Sequence, residues 1–250
     1  MVVVGADAHL SPAQLSSVAA STPGRLSIAG YASLMDEASA RETMPSMSGF
    51  RYGVVDGYCR IFNLVSIVNI RKGLATGRRL ATCTARPRPG SQLRVCCFDI
   101  PREELLPLAV REARLRLEPV PIAGEAGASS SGEGAAGCCA LLCVESSDEE
   151  YRARWCEDAA AYHEQVGQHY DGQLYRDDCL PVPSYLLRCL RAHAAAGTVD
   201  NFLDESFLGD GRTRLREYIG GEVAAAGAAS EAAWSAAELE ELRTYVSGQT

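Results

Sequence analysis

The segment "SIAGYASLMD", residues 27–36, has the pattern of a β-strand that ends in a tight turn. Leu26 and Ile28 alternate with polar residues, as in a strand with one buried face. Small residues follow Tyr31, where the strand pattern stops, so several backbone N–H groups lose their ladder partners. Because an unpaired buried N–H group is costly, either another part of the chain or an anionic ligand must satisfy these donors.

Length, composition and charge narrow the class of protein. The chain has 250 residues, of which 47% are hydrophobic, and this is enough for a buried core in one large domain or in a domain with a smaller appendage. The formal net charge of −8 argues against a nucleic-acid partner. No apolar run approaches the roughly 20 residues that span a bilayer, so we expect a soluble globular protein with no membrane partner.

The ten cysteines have no spacing typical of a metal site or a disulfide framework. The sequence contains no C-x-x-C pair and no Cys/His cluster with zinc-finger spacing. The adjacent pairs Cys96–Cys97 and Cys138–Cys139 fit strand positions better than bridges to each other. We therefore expect reduced cysteines that pack as small buried hydrophobes, and a cytoplasmic location.

Residues 25–145 are dominated by strand patterns, and we predict one β-domain there. The segment 80–101 is predicted to form two strands around a turn at 86–90. The stretch 123–137, rich in Gly, Ala and Ser, is predicted to be a flexible insertion. Further strands are predicted at 52–67, 117–122 and 138–144.

The ends of the chain have a different character. Residues 1–24 are rich in Ala and Ser; they are either a poor organelle transit peptide or a disordered leader, and we predict the leader. Residues 146–220 are predicted to form a helical extension packed on the β-domain, with Ser147 as an N-cap before an acidic first turn. Residues 221–250 are predicted to be an Ala-rich linker followed by a terminal helix.

Most standard catalytic motifs are absent from the sequence. It has no P-loop, no G-x-G-x-x-G after a strand and no G-x-S-x-G. His163 and His169 frame the segment "HEQVGQH", but six residues turn a straight helix by about 240°, so the two imidazoles cannot share a metal. We expect neither a metal nor another cofactor.

Glu112 is the residue most suited to chemistry. It lies on a predicted helix at the spacing of Leu105 and Leu108, so its carboxylate should point inward. One interpretation is an ion pair with a basic side chain such as Arg114 or Arg60. The other is a carboxylate held in an apolar cleft, where desolvation raises its pKa towards the range useful for general acid–base catalysis.

Four motifs follow one another along the chain: "GYASLM" (30–35), "GYCRIF" (57–62), "RPGSQLRVCCFDIP" (88–101) and "LLPLAVREARLRLEPVPI" (105–122). In this order they resemble the gamma-glutamylcyclotransferase superfamily over residues 26–122. Segments after residue 145 are similar to the C-terminal region of a less studied branch of that superfamily. The resemblance implies an α+β fold, with a small mixed β-barrel flanked by helices and a helical C-terminal region.

The resemblance also implies a reaction. Members of the family cleave a γ-glutamyl amide through attack of the substrate's own α-amine on its γ-carbonyl, which releases 5-oxoproline and an amine or amino acid. No metal is needed, and a single carboxylate performs both proton transfers; by motif this residue is Glu112. Proton transfer of this kind contributes about 10²–10⁴-fold. The implied partner is a small γ-glutamyl compound, with glutathione as one candidate.

The same resemblance assigns substrate-binding residues. The backbone N–H groups of Tyr31, Ala32, Ser33 and Leu34 would form an anion-binding turn for the γ-glutamyl moiety. Arg60 is a further candidate for substrate binding. Arg60 and Arg111 could each bind the substrate carboxylate, pair with Glu112 or stay on the surface.

Two departures from the family keep other functions open. Ala32 stands where the family usually has glycine, and Leu115 stands where an aromatic residue is common. A non-catalytic protein that binds a small carboxylated metabolite in the same cavity is therefore a second hypothesis. A third is an interaction protein in which "VDNFLDESFL" (199–208) exposes an apolar patch. We expect a monomer or a homodimer.

Overall fold

The structure, a computed structural model, describes residues 24–124, 138–225 and 234–247. Nearly all of the predicted leader, most of the predicted insertion and part of the predicted Ala-rich linker lie outside the described residues. The strands are β1 (Arg25–Gly30), β2 (Ser48–Val65), β3 (Arg79–Pro101), β4 (Arg116–Gly124), β5 (Cys138–Val144), β6 (Leu180–Pro181) and β7 (Ser206–Leu208).

Helices occupy several connections and most of the C-terminal half. Their starts follow the local sequence: the Ser147 hydroxyl accepts from the Glu150 N–H at 3.1 Å, and Pro183 begins a helix where its missing N–H leaves no bond unmade. The helices are α1 (Glu37–Thr43), α2 (Ile67–Arg71), α3 (Leu105–Arg111), α4 (Asp148–Trp155), α5 (Ala159–Tyr162), α6 (Pro183–Ala195), α7 (Val199–Asp204), α8 (Leu215–Ala225) and α9 (Ala236–Ser247).

Five of the strands close into a mixed β-barrel. β1 pairs antiparallel with β3 and parallel with β5, and β5 continues through β4 to β2 by antiparallel pairing. An antiparallel ladder between β2 and β3 closes the ring, while β7 and β6 extend β2 and β3 in parallel. The predicted α+β class with a small mixed barrel is therefore confirmed.

The hairpin predicted within residues 80–101 is wrong, because this segment is one long strand. Both halves of β3 pair with β2 in the same direction: Pro87 lies opposite Tyr58, and Gln92 lies opposite Asp56. The chain therefore does not reverse, and the Pro- and Gly-rich stretch forms an irregularity in the ladder. The turn-forming residues at 86–90 interrupt the regular pairing of β3 but do not end the strand, because β2 pairs with β3 on both sides of them.

One hydrophobic core runs from the barrel into the C-terminal helices. Phe62 and Leu142 of the barrel belong to the same buried cluster as Leu186 of α6 and Leu242 of α9. Burial of this shared apolar surface stabilises the barrel and the helices together. Helix α6 thereby lies against the barrel.

The segment 199–208 packs inward. Phe202, Leu203 and Phe207 each have at most 2% of their surface exposed. The apolar patch that the third hypothesis requires is therefore not exposed in this segment. In the described ranges, no helix has both the length and the apolar character needed to cross a bilayer.

The adjacent cysteines occupy strand positions, as predicted. Cys96 and Cys97 lie in β3 with fully buried side chains, and Cys96 is a free thiol. Cys139 departs from the expectation of burial, because its side chain is exposed near the start of β5.

Candidate active site

A cavity of about 370 Å³ opens beside the end of β1. Its wall is built by the turn after β1, the C-terminal end of α3, the segment around α2 and one face of α6. The turn residues 31–34 and Glu112 all line it. The structure thus brings together Glu112 and the whole of the predicted binding turn, although more than 75 residues separate them in sequence.

Gly30 allows the chain to turn sharply out of β1. A Cβ atom at this position would lie 2.7 Å from Leu34 Cβ and 2.9 Å from Cys96 Sγ, closer than side chains in protein interiors pack. The chain then continues as a short 3₁₀ helix, Ser33–Met35. A larger residue at position 30 would displace the turn that lines the cavity.

The turn leaves backbone donors unpaired at the cavity wall. Among the described residues, the N–H groups of Ala32, Ser33 and Leu34 have no hydrogen-bond acceptor. Within the described ranges, other groups therefore do not satisfy the donors left by the end of the strand, and these donors suit an anionic or carbonyl ligand. Ala32 has a φ of −127°, outside the left-handed region, so this position does not need the positive φ that favours glycine.

Arg60 does not line the cavity, contrary to its predicted role in substrate binding. Its side chain is fully buried in the protein interior, where Nε donates to the Tyr31 carbonyl at 2.6 Å and Nη2 donates to the Arg94 carbonyl at 2.6 Å. Burial lowers the pKa of the Arg60 guanidinium to about 10, so the group stays charged at neutral pH. Arg60 therefore holds the turn from its buried side.

His193 is a second side chain that holds the turn, and no sequence motif identifies it. Its Nε2 lies 3.2 Å from the Tyr31 carbonyl oxygen, and its Nδ1 lies 2.8 Å from the Thr198 hydroxyl. Because a carbonyl oxygen can only accept, Nε2 carries the proton and Nδ1 accepts from the hydroxyl. Burial and the nearby charge of Arg60 hold the pKa of His193 well below its usual range, so the ring is neutral.

Glu112 follows the last residue of α3, and its side chain lines the cavity. Its N–H donates to the Leu108 carbonyl at 2.9 Å and ends the helix. The carboxylate pairs with Arg111, whose Nε lies 3.1 Å from Oε1. The ion pair of the first interpretation therefore exists, and of the candidate partners it is Arg111 that forms it.

Burial raises the pKa of the Glu112 carboxyl, and the charges of Arg111 and Arg114 only partly oppose this shift. Only 24% of its side chain is accessible. Burial likewise raises the pKa values of Tyr31 and Cys143, and the Glu112 charge raises both further, so these two neighbours stay neutral. A carboxyl group with a raised pKa at a cavity can accept and return a proton closer to neutral pH than an ordinary glutamate.

Leu115 occupies the position where the family often has an aromatic residue. It lines the cavity, has 9% of its surface exposed and packs in a cluster with Tyr151 and Leu174. This position therefore contributes apolar surface and no side-chain hydrogen bond to the candidate site.

The two histidines of "HEQVGQH" do not line the cavity. His163 begins a π-helical turn, His163–Gly167, and His169 lies just beyond it. In the part of the chain that the structure covers, no group of three or more His, Cys, Asp or Glu side chains could hold a metal ion. No residue of the candidate site is therefore assigned to a metal.

Comparisons with known proteins find matches among solved structures. No protein-family model matches the chain, and no curated protein sequence matches it. A gamma-glutamyl cyclotransferase is 15% identical, with a TM-score of 0.35 over 48% of this chain and 68% of its own. YkqA from Bacillus subtilis is 14% identical, with a TM-score of 0.41 over 72% of this chain and 52% of its own. A glutathione-specific gamma-glutamyl cyclotransferase from yeast is 13% identical, with a TM-score of 0.29 over 90% of this chain and 96% of its own.

Similarity at this level carries no activity from one protein to another. The features of this chain that matter are its own: the four motifs in family order, the closed mixed barrel, and the cavity that joins Glu112 to the turn after β1. The barrel and the cavity are the fold features that the resemblance of the four motifs predicts.

Proposed function

We propose that this protein is a γ-glutamyl cyclotransferase. In the proposed reaction the substrate α-amine attacks the γ-carbonyl carbon, a C–N bond forms to close a five-membered ring, and the amide C–N bond breaks. The products are 5-oxoproline and a free amine or amino acid. The attacking ammonium gives up a proton and the leaving nitrogen gains one, so the reaction needs no oxidant, reductant or added nucleophile.

The observation that carries this proposal is the placement of Glu112. Its carboxylate, with a pKa raised by burial, lines the same cavity as the unpaired N–H donors of the turn. It first accepts the proton of the attacking amine and then donates a proton to the leaving nitrogen. One carboxylate can serve both steps because they follow one another in the same cavity.

The turn supplies binding and orientation. Its three unpaired N–H groups bind the γ-glutamyl moiety, while Arg60 and His193 hold the preceding carbonyl of Tyr31. An amine held close to its own γ-carbonyl reacts faster, because the entropy of alignment has already been lost on binding. Because these two side chains fix the turn from the protein interior, its N–H groups can hold the amine and the γ-carbonyl in a constant relative position.

Binding without catalysis is the second candidate function, and Ala32 is the residue that favours it. Ala32 lines the cavity where the family has glycine, and its methyl group takes space from a ligand. The φ of Ala32 is negative, however, so the turn does not depend on the positive φ that favours glycine. Catalysis and binding without catalysis are therefore to be distinguished by a test for product formation, because the fold of the site suits both.

Release of 5-oxoproline from a panel of γ-glutamyl amino acids, peptides and amines tests the proposal. We expect wild type to act on at least one member, and Glu112→Gln to lower the rate by at least about 10²-fold. Glu103→Gln is a matched control, because that side chain is 70% exposed and lies outside the cavity.

Two results would count against the proposal. Equal rates for wild type and Glu112→Gln would remove the role assigned to Glu112. Absence of product from wild type, with a γ-glutamyl ligand still raising its melting temperature, would favour the binding function.

A further inference from the structure

The cavity wall is cationic, although the whole chain has a net charge of −8. Among the described residues it includes the basic side chains of Lys72, Arg111, Arg114 and Arg188, but a single carboxylate, that of Glu112. Arg111 pairs with this carboxylate, so three cations remain in excess. A concentration of positive charge in a cavity of an acidic protein indicates an anionic ligand.

Lys72 and Arg188 mark the mouth of the cavity, because both residues are exposed. Across the described ranges, neither side chain makes an ion pair or a hydrogen bond with another residue. Arg191, one turn further along α6, differs in this respect, because it pairs with Glu241 at 2.7 Å. Arg188 is therefore a cation that the fold itself does not use.

Exposed apolar side chains line the same cavity. Val68 is 50% exposed and Leu74 is 48% exposed, and both belong to its wall. Large apolar side chains left in water next to a ligand cavity indicate contact with an apolar part of the ligand. The mouth therefore combines two cations with two apolar contacts.

The proposed reaction places the leaving group at this mouth. Glu112 and the unpaired N–H groups of the turn hold the reacting half of the substrate, and that half closes into the ring. The amine that departs must leave through the opening, where Lys72 and Arg188 are exposed. The side chains at the mouth therefore indicate which leaving group the site accepts.

We propose that the mouth selects γ-glutamyl conjugates of apolar amino acids over conjugates of simple amines, an inference that rests on the proposed function. Arg188 and Lys72 bind the carboxylate of the leaving amino acid, and Val68 and Leu74 contact its side chain. Arg188 is thus a specificity-determining residue, and it is supplied by α6, outside the region 26–122 that carries the family motifs.

The γ-glutamyl moiety has a carboxylate of its own, so the test must separate the two anions. γ-Glutamylleucine and γ-glutamyl-3-methylbutylamine differ only in the carboxylate of the leaving group. Both retain the γ-glutamyl carboxylate and the same apolar side chain. Calorimetric binding to the Glu112→Gln protein measures the preference between them without turnover.

We expect the Glu112→Gln protein to bind γ-glutamylleucine at least about fivefold more tightly than the amine conjugate. Addition of Arg188→Ala should remove most of this preference, and added salt should weaken it. Arg71→Ala is the matched control, because Arg71 is an exposed cation next to Lys72 that does not line the cavity.

Equal affinities for the two conjugates would overturn the inference. So would a preference that survives Arg188→Ala and Lys72→Ala together, or the failure of both conjugates to bind. A clear preference in the binding assay, with no 5-oxoproline formed by wild type from any member of the substrate panel, would instead overturn the proposed function and leave the selectivity of the mouth standing.

Discussion

Replacement of Gly30 by alanine should damage both the fold and the site, because this glycine sets the position of the turn. The added Cβ would lie 2.7 Å from Leu34 Cβ and 2.9 Å from Cys96 Sγ. Leu34 belongs to the turn itself and lines the cavity, so it cannot move without moving the unpaired N–H groups.

The size of the effect follows from these distances. Carbon atoms in contact prefer a separation of roughly 3.5–4.0 Å, whereas the new Cβ and Leu34 Cβ would start at 2.7 Å. The turn must therefore shift by roughly 1 Å. Overpacking of this kind costs about 1–3 kcal/mol of folding free energy, and a misplacement of about 1 Å at a reacting centre costs about 10²-fold in rate.

Urea denaturation and 5-oxoproline release, measured on the same preparations, would test this prediction. Gly220→Ala is the matched control, because a Cβ at that position in α8 meets nothing within 4 Å and should stabilise the helix by about 0.5–1 kcal/mol. If Gly30→Ala kept the stability and the kcat/KM of wild type, the close approach of the turn to β1 would not matter, and the reasoning would fail.

Three further predictions concern the carboxylate, the buried arginine and the alanine of the turn. Glu112→Gln should stabilise the protein at neutral pH, because the folded-state pKa of Glu112 is raised and its ionisation opposes folding. This gain in stability should vanish as the pH falls below the ordinary glutamate pKa of about 4.3. Urea denaturation at several pH values measures it, and a gain that stays constant with pH would show that the pKa is not raised. Arg60→Met should cost about 2–4 kcal/mol, because the Arg94 and Tyr31 carbonyls each lose a charged donor; an unchanged melting temperature would contradict this. Ala32→Gly should lower stability by about 0.4–1 kcal/mol through the entropy of the unfolded chain, whereas a gain in stability would show that alanine is strained there.

Local sequence patterns identify the barrel strands but not all of their connections. Short apolar or partly alternating runs predict β1, β4 and β5. The stretch Arg86–Gly90 contains turn-forming residues, yet β3 passes through it without reversing. Pairing with a partner strand many residues away decides the outcome, and a local pattern does not contain that information.

The residues of the candidate site likewise fall into those that local sequence patterns predict and those that only the fold brings together. Glu112 and the turn can be predicted, because helical spacing and short motifs point to them. Arg60 is assigned to the substrate from the resemblance and its charge. The structure shows that it shares the inward face of β2 with Phe62, while Ile61 packs on the other face. His193 cannot be predicted, because its contact with Tyr31 joins residues 162 positions apart.

A crystal structure of the Glu112→Gln protein, bound to the γ-glutamyl compound that wild type cleaves fastest, would test the central claim most directly. The account predicts that the substrate α-amine lies about 2.6–3.2 Å from the side chain at position 112. It also predicts that the γ-glutamyl moiety accepts hydrogen bonds from the N–H groups of Ala32, Ser33 and Leu34. A substrate bound with its amine turned away from position 112, or bound outside this cavity, would contradict the account.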